Sequence, residues 1–190
     1  MAPTSRATLA RRLTALVVAA VLTLAVLTLV GADRLGLGAA SAGEVQSPAA
    51  LEAALVGVDA TFADRVSAAH EAAAAAGVPL AITSGARSVA EQQRLFDEGV
   101  AEHGSAEAAS RWVLPPDRSA HVLGKAVDVG PAEGWRWLGE HGAEQGLCQV
   151  YENEPWHFEP LVEPGGTCPG LEPDASHTVG GERGAGRSGR

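Results

Sequence analysis

Apolar positions recur along this chain with two different periods. Asp59 to Ala76 carries Phe62, Val66 and Ala69 at helical spacing, and Gly77 then Pro79 supply a stop, which predicts a helix. Pro79–Thr83 is a short apolar run between turn signals and predicts a buried strand. Ser84–Ser88 reads as a loop. Ser88 and Glu91 stand at the spacing of a capping box and open a second helix that runs through about Glu98. Residues 100–118 are polar and irregular. Lys125–Val129 alternates and predicts a strand, with Ala126 and Asp128 on one face and Lys125, Val127 and Val129 on the other. A helix follows from Pro131 to about Gln145, carrying Trp135 and Leu138, and then a strand from Leu147 to Tyr151. Trp156 and Phe158 share a strand face opposite His157. That parity turns the aromatics to the core and the imidazole to a cleft. Short strands mixed with helices in this order predict an α+β domain.

The two ends depart from this pattern. Arg6, Arg11 and Arg12 precede an uncharged apolar run from Leu13 to about Ala32, and Ala40, Ser41 and Ala42 offer a small-residue cleavage site. Residues 1–42 therefore read as a signal peptide or as a retained N-terminal membrane anchor. Both readings put the rest of the chain outside the cytoplasm, because the positive side stays inside. Residues 43–58 read as a linker and the start of the domain. The domain itself runs over 59–170, and the Gly-, Ser- and Arg-rich 171–190 reads as a disordered tail.

Composition narrows the partners. Of 190 residues, 14 are Lys or Arg and 23 are Asp or Glu, a formal net charge of −9. This balance argues against a nucleic-acid partner, which needs a basic footprint. Contact with a membrane is expected only through the N-terminal segment, and a monomer is expected. The cysteines number two, Cys148 and Cys168. In an exported domain an even count predicts one disulfide. It would close a loop containing Glu154 and His157.

The candidate chemistry lies in two stretches, Ser119–Asp128 and Glu154–Phe158. His121, Asp128 and His157 are two imidazoles and one carboxylate, a set that leaves a coordination position open, as catalytic zinc sites do. Asp128 sits in an otherwise apolar strand, where an unpaired carboxylate would be costly to bury. A metal removes that cost. Glu154 would then be a non-ligand carboxylate, a general base for water. Its parity does not match that of His157 on a regular strand, but Pro155 is poorly tolerated in a central strand. A bend there would return Glu154 to the metal. The facial triad of non-haem iron oxygenases has the same ligand types. There, however, the histidine and carboxylate usually stand much closer than the seven positions between His121 and Asp128. His70, His103, His141 and His177 show no partner pattern.

Ser119, His121, Gly124, Ala126 and Asp128, followed by Glu154, Trp156 and His157, form a pattern that resembles the VanY-type zinc D-alanyl-D-alanine carboxypeptidases. Ser84–Ser88, with Gln92 in the helix after it, is similar to a further segment of that family. The resemblance covers about residues 78–160. It implies a hedgehog/DD-peptidase-like α+β fold, with a small antiparallel sheet carrying the metal site. It implies Zn2+ on His121, Asp128 and His157, with Glu154 as catalytic base. It also implies Arg87 at the oxyanion or the substrate, and Ser119 and Gln92 as substrate-binding residues. The implied substrate is a peptidoglycan stem peptide ending in D-Ala-D-Ala. A D,D-dipeptidase, a peptidoglycan endopeptidase and a non-catalytic cell-wall-binding module on the same fold stay open.

Overall fold

A computed structural model of the chain describes residues 45–177. The proposed targeting segment, 1–42, lies outside the described residues. The described elements are α1 (Pro48–Ala54), α2 (Ala60–Ala75), β1 (Ala81–Ser84), α3 (Val89–His103), α4 (Ala106–Ala109), β2 (Val127–Gly130), α5 (Ala132–His141), β3 (Cys148–Gln149) and β4 (His157–Glu159). The four strands form one antiparallel sheet in the order β1-β2-β4-β3.

The sheet packs one face on helices and leaves the other to the cleft. Phe62, Val66, Ala69 and Ala73 of α2 are buried together with Ile82, Val127, Val129, Phe158 and Leu138. Alternation then turns Asp128 and His157 to the opposite face. Asp59 caps α2, its side chain accepting from the amide of Phe62. Ser88 caps α3 by accepting from the amide of Glu91 at 3.1 Å. Only this half of the capping box forms, because the Glu91 carboxylate turns to Arg94. Gly104 ends α3 with φ 83°, five residues beyond the expected end, and α4 follows inside the stretch read as irregular.

Three further expectations change. The linker expected over 43–58 contains α1, capped by Ser47, and its Leu51 is buried in the core. Residues 171–177, expected to begin a tail, pack on the domain. Glu172 bridges Tyr151, its amide donates to Val150 O at 2.9 Å, and Ala175 is buried against Leu114, Val150 and Tyr151. An apolar residue in a polar tail thus finds a second small core, which composition alone hides. Residues 178–190 lie outside the described part. Third, Trp156 is 39% exposed, whereas Phe158 is fully buried. The strand begins only at His157, so the parity that turns Phe158 inward does not extend back to Trp156.

Cys148 and Cys168 form the expected disulfide. It ties β3 to the segment that leads into Ala175. Among the described residues, no helix is long and apolar enough to cross a membrane.

Candidate active site

Strand register builds the centre of the site. Ser84 pairs with Asp128 across β1 and β2, and Asp128 pairs with His157 across β2 and β4. Directly opposed residues on adjacent strands share a face, so all three lie on one face of the sheet, with Asp128 and His157 lining the cleft. His121 arrives from the turn before β2. That turn closes with Gly124 N donating to His121 O at 3.1 Å and Lys125 N to Ala120 O at 2.8 Å. Gly124 has φ 65°, and a Cβ there would lie 2.6 Å from Gly57 O. Glycine is therefore required both by the backbone conformation and by the close approach.

The histidines are oriented from behind. His121 Nδ1 lies 2.8 Å from Gly85 O. A carbonyl only accepts, so Nδ1 carries the hydrogen and Nε2 offers its lone pair. His157 Nε2 lies 3.0 Å from Glu159 Oε1, which leaves Nδ1 on the cleft side, 3.2 Å from Asp128 Oδ1. His121 Nε2 is 3.3 Å from the same oxygen. One ligand atom from each of His121, Asp128 and His157 lies within 4.8 Å of the others. Two imidazole nitrogens and a carboxylate oxygen, converging and backed by hydrogen bonds, fit a zinc ion.

Buried charges in this group shift its titration. Burial raises the Asp128 carboxyl, but without a metal the His121 and His157 rings, when they carry a hydrogen on the cleft side as well, donate to it and hold its pKa well below the ordinary range. Burial lowers the His157 imidazolium, and hydrogen bonds to Asp128 and Glu159 overcome that and raise it to about 9. Burial dominates at His121 and lowers it. Burial likewise pushes Glu154 up to about 7, with Asp128 and Asp174 adding to the effect and His157 and Arg87 opposing it.

Glu154 reaches the cleft through a turn. His157 N donates to Glu154 O at 3.0 Å, which is the bend that the proline implies. Its Oε1 is buried with no hydrogen-bond partner. A carboxylate poised near neutrality with a free oxygen is suited to moving a proton.

Arg87 is held on the far side of Asp128. Nη2 donates to Asp128 Oδ2 at 2.7 Å and to Ser84 Oγ at 2.8 Å, Nε to Ser84 Oγ at 3.0 Å, and Nη1 to Gln92 Oε1 at 3.2 Å. Of five guanidinium hydrogens, one on Nη1 remains for another acceptor. Gln92 is 1% exposed and donates to Leu114 O at 2.7 Å. One hydrogen on Nε2 and one lone pair on Oε1 are used in this way, so Gln92 braces Arg87 while still lining the cleft. Ser119 is buried and lines the cleft together with Arg87, His121, Glu154 and Tyr151. The cleft holds about 400 Å³.

Comparison with known proteins agrees with this geometry. Residues 56–160 match the family described as VanY, D-alanyl-D-alanine carboxypeptidase. The chain belongs to the VanY family. A D-alanyl-D-alanine carboxypeptidase of Enterococcus faecalis is 37% identical over 114 residues, covering 46% of this chain and 42% of the relative. The chain thus spans less than half the length of that relative. Among solved structures, a mutant of the vancomycin-resistance D,D-pentapeptidase VanY from a VanB-type resistance cassette, in complex with Zn(II), superposes with a TM-score of 0.50 at 31% identity. It covers 54% of this chain and 71% of its own. VanYB in complex with D-alanine-D-alanine superposes with a TM-score of 0.50 at 30% identity, covering 54% and 70%. The fold is accordingly a VanY-type α+β fold with a small antiparallel sheet.

The family segment contains Arg87, Ser119, His121, Asp128, Glu154 and His157. It also contains one buried acid that sequence reasoning passed over, Glu159. The signal was present: Glu159 stands two residues after His157, hence on the same strand face, among apolar neighbours. The argument that singled out Asp128 applies to it unchanged. Ala175 carries no such signal, and it reaches the cleft wall only through tertiary packing.

Proposed function

We propose that this chain is a zinc-dependent D-alanyl-D-alanine carboxypeptidase that removes the terminal D-Ala from peptidoglycan stem peptides. One observation carries the reading. His121, Asp128 and His157 converge in a single cleft with Glu154, whose Oε1 is buried and unpartnered. Zinc held by the three ligands would supply Lewis acidity and lower the pKa of water toward ~7. Glu154 takes the proton from the attacking water and returns it to the leaving amine. Arg87 holds Asp128 in its ligating orientation and offers its remaining Nη1 hydrogen toward the carbonyl oxygen as charge develops there. Ser119 offers its hydroxyl to the terminal carboxylate of the substrate. The overall negative charge does not draw an anionic peptide in, so recognition rests on these few donors.

The relatives support this substrate: one is described as a D-alanyl-D-alanine carboxypeptidase and another is in complex with D-alanine-D-alanine. Such a substrate lies outside the cytoplasm. The disulfide supports that placement, with export by the N-terminal segment, either cleaved or retained as an anchor.

The test is the full chain, loaded with zinc, on a pentapeptide ending in D-Ala-D-Ala and on free D-Ala-D-Ala. Release of D-Ala from the pentapeptide is expected. Release from the free dipeptide alone would make the protein a dipeptidase. No release from either, in zinc-loaded protein, would leave a peptidoglycan endopeptidase or a wall-binding module.

A further inference from the structure

We propose that Glu159 is a positioning residue for the metal ligand His157, fixing which ring nitrogen faces the cleft and supplying part of the negative charge that holds the cation. The inference rests on the zinc reading above and concerns a residue that touches neither substrate nor metal.

Glu159 lies at the end of β4 and is 4% exposed. Strand β4 runs between β2 and β3, and Glu159 pairs in register with Cys148. The disulfide at Cys148 holds that neighbour in place. The backbone under Glu159 is therefore held on its β3 side, and its side chain shares the face of His157. Oε1 meets His157 Nε2 at 3.0 Å. A buried carboxylate without a positive or donating partner would be costly. The imidazole N–H provides that partner, and in return the carboxylate fixes the tautomer.

The two histidines differ in what stands behind them. His121 is backed by a neutral main-chain carbonyl, Gly85 O at 2.8 Å. His157 is backed by an anion. A carboxylate behind an imidazole raises the basicity of the ligating nitrogen more than a carbonyl does. Charge balance points the same way. The Arg87 guanidinium lies 2.7 Å from Asp128 Oδ2 and offsets much of that ligand's charge. Glu159 restores an anion beside the site, where a divalent cation needs one.

The test uses the full chain as wild type, Glu159→Gln and Glu159→Leu. Zinc affinity is measured by competition with a chromogenic chelator. The hydrogen on His157 is located by 15N NMR of the zinc-loaded protein. Glutamine keeps an acceptor oxygen but removes the charge, so affinity should fall by about tenfold while the Nε2–H tautomer persists. Leucine removes both, so affinity should fall by up to about 100-fold, with the tautomer no longer fixed. The glutamine variant keeps the shape of the side chain and guards against a folding failure in the leucine variant. Wild type that binds no zinc would sink the zinc reading, and this inference with it. Wild type that binds zinc, with unchanged affinity and tautomer in both variants, would overturn the role of Glu159 alone.

Discussion

The two stretches that build the cleft are held by different means. Residues 119–130 form a tight turn leading into a strand, fixed by main-chain hydrogen bonds. Asp59 N donates to Gly124 O at 3.0 Å and Arg87 N to His121 O at 3.1 Å, and the His121 ring itself rests on a backbone carbonyl. Residues 148–177 contain two very short strands, a turn at Pro155, and a returning segment tied down by a disulfide. There the His157 ring rests between two carboxylates, and Glu154 is held in place without a hydrogen bond on Oε1. The first stretch is a local turn that main-chain groups of other segments pin in place. The second is assembled from parts distant in sequence and depends on covalent and electrostatic links.

The sharpest way to break this comparison is Glu154→Gln. If Glu154 moves protons, turnover should fall by on the order of 10²–10⁴ with zinc content unchanged. Elemental analysis beside kinetics checks both halves. Loss of zinc would recast Glu154 as a ligand.

Removing the cross-link should separate the stretches. Cys148 and Cys168 are 20 positions apart, so the bridge should contribute about 3 kcal/mol in the chain-entropy model. Replacing both by Ala should lower the melting temperature. Hydrogen exchange should rise over 148–177 while 119–130 keeps its protection. Equal loss of protection in both stretches would mean that they stand or fall together.

The converse perturbation is Gly124→Ala, which forces a Cβ toward Gly57 O in a positive-φ position. A cost of about 1–3 kcal/mol is expected, read by denaturant unfolding, with the turn at His121 displaced and zinc affinity weakened.

Arg87→Lys should have a smaller effect. An ammonium cannot reproduce the forked contacts to Ser84, Gln92 and Asp128. A fall of about tenfold in kcat, with KM little changed, would mark a role in the transition state. A rise in KM alone would mark substrate grip.

The mildest probe is pH. In metal-free protein Glu154 titrates at about 7 against an ordinary 4.5, raised by burial. The folded state then holds a proton that the unfolded state has released. The contribution of Glu154 to stability is fully present below pH 4.5 and is lost as pH rises through about 7. Glu154→Gln should flatten that part of the stability profile, and an unchanged slope would show that another group sets it.

Much of the site was legible in the sequence because its rules are short-range. Strand alternation separates Asp128 from Val127 and Val129, Gly124 marks a turn, and Ser88 marks a helix start. The same alternation misassigned Trp156, since parity has meaning only where the strand exists, and β4 starts one residue later. Gln92 shows a different limit. Its type and position suit a substrate contact, and only the fold shows that it also braces Arg87 against Leu114 O.

What the sequence determined by itself is the chemistry: which side chains can ligate, which can move a proton, and the local turns that carry them, since donor type and backbone preference belong to single residues and short segments. The tertiary structure alone decided the pairing of Ser84, Asp128 and His157 across three strands. It also decided the burial that raises Glu154, the anion behind His157, and the packing of Ala175 at the cleft wall. These depend on register and on exclusion from water, which arise only when distant segments share one core.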